Sequence, residues 1–285
     1  MGVYGGSFFE GLGVCMETIV MKFGGAAVIS TSQFSKIAEI ILNRSTQTHV
    51  VVVVSAMGNT TDQLLALAKE VHPTPPAREQ DMLLSAGERI SMALLAMALH
   101  LKNKDAISLT GSQSGIITSS VHSEARIIDV RPHRLQRHLD EGKVVIVAGF
   151  QGVSEGEITT LGRGGSDTTA VALGVALGAS RVEFYKDVLG VCSEDPKMNP
   201  QATVFSRLSY SEALLILEKG AQVLHPRSVK LAEQNRLLLH VRSFFDLDLS
   251  LSQGTLIGEF IKESSTSFIK QCADSNKKIY ESMLL

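Results

Sequence analysis

The stretch Thr159-Thr160-Leu161-Gly162-Arg163-Gly164-Gly165-Ser166-Asp167-Thr168-Thr169 gathers residue types that suit the binding of an anion. Three glycines within four positions permit φ > 0 and the close approach of another molecule. Ser166 and Asp167 stand where a helix N-cap is expected, and the apolar run Ala170 to Ala179 predicts a buried helix behind them. The start of such a helix concentrates N–H groups and partial positive charge, with Arg163 just ahead of it. Two readings stand here: recognition of a carboxylate or phosphoryl group, or an ordinary strand-to-helix turn.

Two further side chains could do chemistry. Lys22 lies at a strand end just before Gly24-Gly25. Buried, it must face an anion, and as a point charge it suits a transferring phosphoryl group; otherwise it is a solvated strand-end lysine. Glu88 sits in an apolar helical region beside Arg89, where it either forms a local ion pair or accepts a substrate ammonium. His225-Pro226 reads as a helix start rather than a catalytic histidine. The motifs GxxxxGK[ST] and HExxH do not occur.

The elements that must position these groups follow from hydrophobic periodicity. Strands are expected at Thr18 to Phe23, His49 to Ser55 with its five consecutive valines, and Lys143 to Ala148. Further strands are expected at Asp105 to Leu109, Arg126 to Val130, Arg181 to Tyr185 and Leu238 to Arg242, and Phe150 to Thr160 has hairpin character. Helices are expected at Gln33 to Asn43, from Thr61-Asp62 to the break at Pro73-Thr74-Pro75-Pro76, and onward to Leu101 with Ser85 to Arg89 interrupting. Pro132 to Glu141, Ser211 to Lys219 and Arg227 to Gln234 complete the helices, and Asp187 to Gln201 is a long loop. Repeated strand–loop–helix units predict an α/β fold with a mostly parallel sheet covered on both faces. Ligands then gather beyond the carboxyl ends of the strands, where Lys22, Ser55 to Thr61 and the glycine loop all fall.

Composition excludes several classes. The chain has 285 residues, 44% hydrophobic and 20% charged, with a net charge of −2. That is a globular balance with no pull toward nucleic acid or an anionic membrane. The cysteines Cys15, Cys192 and Cys272 are odd in number and widely spaced, which favours a reducing, cytoplasmic setting over a disulfide framework. The longest apolar run in the richest helix, Met92 to Leu99, is too short to span a bilayer.

Taken together, the motifs resemble the catalytic domain of the aspartate kinases, in the amino-acid kinase superfamily. The matching pieces are Lys22-Phe23-Gly24-Gly25; Val54-Ser55-Ala56-Met57-Gly58-Asn59-Thr60-Thr61-Asp62; Leu84-Ser85-Ala86-Gly87-Glu88-Arg89; Ala148-Gly149-Phe150-Gln151-Gly152; Thr160 to Asp167; Asp187-Val188-Leu189-Gly190-Val191; and Val223-Leu224-His225-Pro226. They are collinear over about Thr18 to Ile257. The resemblance implies a three-layer α/β/α sandwich that moves the ATP γ-phosphoryl group to the side-chain carboxylate of L-aspartate. It makes Lys22 and Asp167 catalytic, Arg163 a clamp for a substrate carboxylate, and Glu88 the acceptor of the α-ammonium. Ser55, Thr61 and Ser166 supply hydroxyl contacts. Lys22, Gly24, Gly25, Lys186, Asp187, Cys192, Lys197, Gln222 and Val223 fall on the nucleotide side. No protein metal site is implied; Mg²⁺ bridges nucleotide oxygens. A relative acting on another carboxylate, or a non-catalytic partner subunit, are the alternatives.

Several nucleotide-side positions depart from the family pattern. Ala26-Ala27 stand where hydroxyl residues are usual, Lys186 where Thr or Ser is usual, Cys192 for tyrosine, Lys197 for arginine and Gln222 for lysine. Altered nucleotide binding is expected. The resemblance divides the chain into a leader at 1–17, a catalytic domain at 18–258 and a tail at 259–285. Such a tail is too short for the regulatory ACT domains that commonly follow, so either the enzyme is not feedback-controlled in cis or a separate regulatory subunit supplies control. By analogy the enzyme is a homodimer.

Overall fold

The computed structural model describes residues 16–194, 199, 201–245 and 253–260. The leader and tail expected from sequence therefore lie almost wholly outside the described residues, as does Lys197.

Strand β1 (Glu17–Phe23) buries its last five residues, and α1 (Thr31–Arg44) presents Phe34, Ile37, Ala38, Ile40 and Ile41 to the core. The valine run forms β2 (Thr48–Val54), buried throughout its second half because both faces of a parallel sheet are covered. Then come α2 (Thr60–Val71), α3 (Ala77–Leu101), β3 (Ala106–Leu109), β4 (Ile116–Thr118) and β5 (Ile127–Val130). Next are α4 (His133–Asp140), β6 (Val144–Ala148), β7 (Gln151–Ser154), β8 (Glu157–Thr160), α5 (Gly165–Ala176) and β9 (Arg181–Lys186). The chain finishes with β10 (Arg207–Leu208), α6 (Tyr210–Glu218), α7 (Pro226–Gln234), β11 (Leu238–Ser243) and β12 (Thr255–Ile257).

An eight-stranded sheet runs in the order β10-β12-β11-β9-β1-β2-β6-β3, with only the β11–β12 pairing antiparallel. One face packs Ile19, Met21, Phe23 and the β2 residues Val50, Val52 and Val54 against α1 and α3. The other packs Val20, Val51, Val53 and Val182 against α4, α5, α6 and α7. This is the three-layer α/β/α arrangement expected from the sequence. Strand β1 is central, flanked by β2 on one side and β9 on the other. Its carboxyl end is a topological switch point, where open parallel sheets leave a crevice.

A second, four-stranded sheet (β5-β4-β7-β8) stands beside the first. Its β7–β8 hairpin is the one read at Phe150 to Thr160. Ser154 pairs with Glu157, leaving Glu155 (φ 51°) and Gly156 (φ 88°) as a two-residue turn with both residues left-handed. The strand expected at Arg126 to Val130 belongs to this small sheet rather than the main one. Strands β4, β10 and β12 were not foreseen, since two or three residues show no periodicity.

Two expectations need correction. Ser85 to Arg89 do not interrupt a helix: α3 is continuous for 25 residues. Gly87 lies inside it for lack of space, because a Cβ there would sit 2.7 Å from Ala56 Cβ. The long helix is also apolar and long enough by composition to cross a membrane, contrary to the estimate from its apolar run. It instead buries Asp81, Glu88, Leu95 and Leu99 within the protein.

Candidate active site

Side-chain alternation decides what meets at the carboxyl end of β1. Lys22 points to the same face as Val20, toward α5, while Met21 and Phe23 point to the α1–α3 side. On β9 the same alternation sends Lys186 to the face that holds Val182 and Phe184. Asp167, in the first turn of α5, lies between them. Lys22 Nζ is 2.7 Å from Asp167 Oδ1 and Lys186 Nζ is 3.7 Å from Oδ2. The backbone N–H of His225 donates to Oδ2 at 3.4 Å. Lys22 is therefore buried against an anion, not solvated.

The charges are strongly coupled. Burial alone would raise the Asp167 carboxyl, but Lys22 and Lys186 outweigh it and hold it below the ordinary carboxylate range. Burial, then repulsion from Lys22, brings the Lys186 ammonium down to about 8 against the pull of Asp167 and Asp187.

The glycine loop is built differently from the sequence expectation. Gly164, not Ser166 or Asp167, occupies the cap of α5, in a left-handed conformation (φ 71°). A Cβ there would overlap the His225 ring at 2.2 Å, so only glycine lets the loop before α7 pack on it. Ser166 and Asp167 thus fall inside the first turn. Ser166 is buried, and a Cβ on Gly149 would meet its Oγ at 2.8 Å, so the glycine after β6 makes room for it. Arg163 is exposed, next to Gly162 with φ 70°.

Glu88 reaches the same crevice from α3. Its Oε1 accepts from the Ala56 N–H at 3.2 Å, within the loop that follows β2. Its Oε2 is buried with no hydrogen-bond partner. Burial raises its carboxyl to about 7, partly opposed by backbone hydrogen bonds and by the charge of Lys22. The local ion pair with Arg89 does not form; Arg89 instead approaches Gln151 Oε1 at 3.5 Å. Ser55 is half-buried, its N–H hooked to Phe23 O at 3.1 Å, and Thr61 is half-buried in the first turn of α2.

Gly24 and Gly25 turn the chain after β1. A Cβ on Gly25 would stand 3.0 Å from Gly58 O and 3.1 Å from Ala56 O, so this glycine allows the two loops to touch. On the remaining nucleotide-side positions, Asp187 is exposed directly after β9, and Cys192 bridges to Val204. Gln222 is exposed and Val223 half-buried ahead of α7. His225 caps that helix, its Nδ1 accepting from Arg227 N, as the sequence suggested. A cavity of about 460 Å³ on another side of α5, lined in part by Arg126, Leu161, Thr168, Arg227 and Lys230, is separate from the Lys22–Asp167 contact.

Sequence reasoning missed Asp81. It is wholly buried on α3 and receives hydrogen bonds from His122, Ser123 and Thr160. Its position seven residues before Glu88, two helical turns on the same buried face, was the available signal.

The fold and the crevice define an α/β protein built around paired ammonium groups at the switch point of a parallel sheet. Residues 17–243 match the amino acid kinase family, and the chain belongs to it. The chain is 50% identical to the aspartokinase of Corynebacterium efficiens over 245 residues, 85% of this chain and 57% of that relative. Among solved structures it resembles the aspartate kinase from Synechocystis (TM-score 0.74, 42% identity, 89% of this chain and 42% of that one). It also resembles E. coli aspartokinase III in complex with aspartate and ADP (TM-score 0.77, 27% identity, 87% of this chain and 66% of that one). The chain spans a little under two thirds of the curated relatives it matches, from 57% to 60% of their length.

Proposed function

We propose that residues 18–258 form a catalytic unit that transfers the γ-phosphoryl group of ATP to the side-chain carboxylate of L-aspartate, giving 4-phospho-L-aspartate. This is the first step toward the aspartate-derived amino acids lysine, threonine and methionine. The observation that carries the reading is the convergence of Lys22 and Lys186 on Asp167, with the unpartnered Oε2 of Glu88 opening from α3 nearby. The likeness to an aspartokinase solved with aspartate and ADP supports it.

The substrate carboxylate is already ionised at neutral pH, so no base is required. Asp167 does not take a proton; held well below the ordinary range by two ammonium groups, it keeps them in place. Lys22 and Lys186 present positive charge to the oxygens of the transferring group, where charge stabilisation supplies most of the rate. Arg163 holds the α-carboxylate, Glu88 the α-ammonium, and Ser55, Thr61 and Ser166 the remaining polar atoms. Gly24, Gly25, Asp187, Cys192, Lys197, Gln222 and Val223 border the nucleotide. Among the described residues no trio of His, Cys, Asp or Glu gathers, and both Asp167 oxygens already face lysines. This donor set fits Mg²⁺ carried in on the nucleotide, where it neutralises phosphate oxygens, rather than a protein-held ion.

The working form is a cytoplasmic homodimer. Support for self-association is the exposed apolar face of α3, which carries Met82, Ile90, Met97 and Leu101.

The test is hydroxamate formation from aspartate, ATP and hydroxylamine, with ADP release followed across a panel of carboxylic acids. Lys22→Ala should lower kcat by about a hundredfold or more, as for a lost transition-state donor. Turnover of a different acid would redirect the substrate assignment. No turnover of any acid, with no thermal shift on adding ATP, would favour a non-catalytic partner subunit.

A further inference from the structure

We infer that Asp81 is a positioning residue for amino-acid recognition: it ties the loop bearing Arg163 to the helix bearing Glu88, so that α3 sets the separation of the two groups. This rests on the substrate roles proposed above for Arg163 and Glu88.

Asp81 has no exposed surface. Its Oδ2 accepts from His122 Nδ1 at 2.8 Å, Ser123 N at 3.0 Å and Thr160 N at 3.1 Å. Its Oδ1 accepts from Thr160 Oγ1 at 2.6 Å, from Ser123 N at 3.1 Å and from Ser123 Oγ at 3.4 Å. A buried carboxylate is costly unless so satisfied, and one that is satisfied holds its donors firmly. The donors come from two other segments, the loop after β4 and the end of β8.

Those segments are bound to each other as well. Ala125 N donates to Thr160 O at 2.9 Å, and Ser123 O lies 3.2 Å from where a Gly162 Cβ would stand. Ser123 is itself held at φ 67°, a conformation unfavourable for a residue with a side chain. Asp81 receives the N–H of that strained residue. Arg163 follows Gly162 directly, so its backbone starts from a platform whose floor is Asp81.

Glu88 lies on the same buried face of α3, seven residues on. The helix therefore spaces the two carboxylates by about 10 Å along its axis. The two α-substituents of an amino acid hang from one carbon, so the tips of Glu88 and Arg163 must converge on a single point. One rigid helix carries Glu88 directly and Arg163 through Asp81, which couples the two placements.

The experiment uses the whole chain with Asp81→Asn, which keeps the volume but turns one acceptor into a donor facing N–H groups. Thr160→Val, which removes one hydroxyl donor, serves as the milder variant. Initial rates with ATP are measured for L-aspartate and for its α-amide, which lacks the charge that Arg163 receives. In Asp81→Asn the KM for aspartate should rise about tenfold or more while that for ATP changes less than about twofold. The preference for aspartate over the α-amide should shrink, with Thr160→Val intermediate. Without any substrate, amide deuterium exchange should speed up at residues 161–164 but not in β1 or β2. An unchanged preference with unchanged exchange at 161–164 would overturn the inference. So would equal losses for aspartate and ATP, the pattern of a general loss of folding. If the unaltered protein does not turn over aspartate, the substrate assignment fails, and the exchange measurement still decides whether Asp81 holds the loop.

Discussion

Lys22, Asp167 and Lys186 illustrate how residue-scale electrostatics can be read as a pH profile. Glu88, pushed up to about 7, must be charged to hold an ammonium, so kcat/KM for aspartate should rise as pH passes through about 7. Lys186, brought down to about 8, must be charged to face a phosphoryl group, so kcat/KM for ATP should fall as pH passes through about 8. The groups that set the second limb are Lys22 on β1, Asp167 on α5 and Asp187 just after β9. Lys186→Thr should remove the alkaline limb and leave the acid limb; an alkaline limb near 8 that survives would assign it elsewhere. Stability has its own sign. A carboxyl raised by burial contributes stability below its unfolded value, and that contribution is lost as pH rises through the folded one. Glu88 should therefore cost about 3 kcal/mol at pH 8 relative to pH 4.5. Glu88→Gln should narrow the difference in Tm between pH 6 and pH 8 while weakening aspartate binding. Lys22 and Asp167 were legible from the motifs around them, but their 2.7 Å contact was not, since 145 positions of chain separate them.

At the scale of elements, glycine decides where loops can meet. Gly164 is required both by its left-handed backbone and by the His225 ring that fills the space beside it. Gly164→Ala should cost about 2–4 kcal/mol, combining the conformational penalty with overpacking. It should also lower kcat, because His225 N–H bonds to Asp167 and would be displaced with the ring. Denaturant unfolding together with initial rates checks both; a stable, fully active variant would contradict this account of the loop. The glycine loop itself stood out in sequence, but its cap was misplaced by two to three residues. Ser and Asp are good N-caps locally, and the tight packing against His225 shifted the start to Gly164. The continuity of α3 was likewise hidden. Ser85, Gly87 and Glu88 look like an interruption until Ala56 is seen pressed against Gly87.

For the molecule as a whole, the central sheet and the crevice are separable. Val53 is fully buried against the α5 side of the sheet, two residues before Ser55. Val53→Ala should lower unfolding stability by about 1–3 kcal/mol through a lost methyl pair and a residual cavity. KM values at 25 °C should stay within about twofold, since the strand ends are hooked by backbone bonds from Ser55 to Phe23 and from Gly149 to Val54. Circular dichroism melts alongside kinetics distinguish a core effect from a site effect.

By itself the sequence determined the parallel α/β class, the order of the longer main-sheet strands and their helices, and the motifs that end those strands. Valine runs, helical periodicity and glycine turns are local properties, carried by residues a few positions apart. Tertiary structure alone decided the second sheet, the role of Asp81 and the placement of Lys186 on Asp167. The Asp81 contacts join segments 41 to 79 positions apart, the β4–β7 pairing 36 and the Lys186 contact 19, and no local period encodes such meetings. The glycine loop was visible from the start as a place for an anion. Packing revealed that Asp167 fills the first turn itself and is paired there with Lys22 and Lys186.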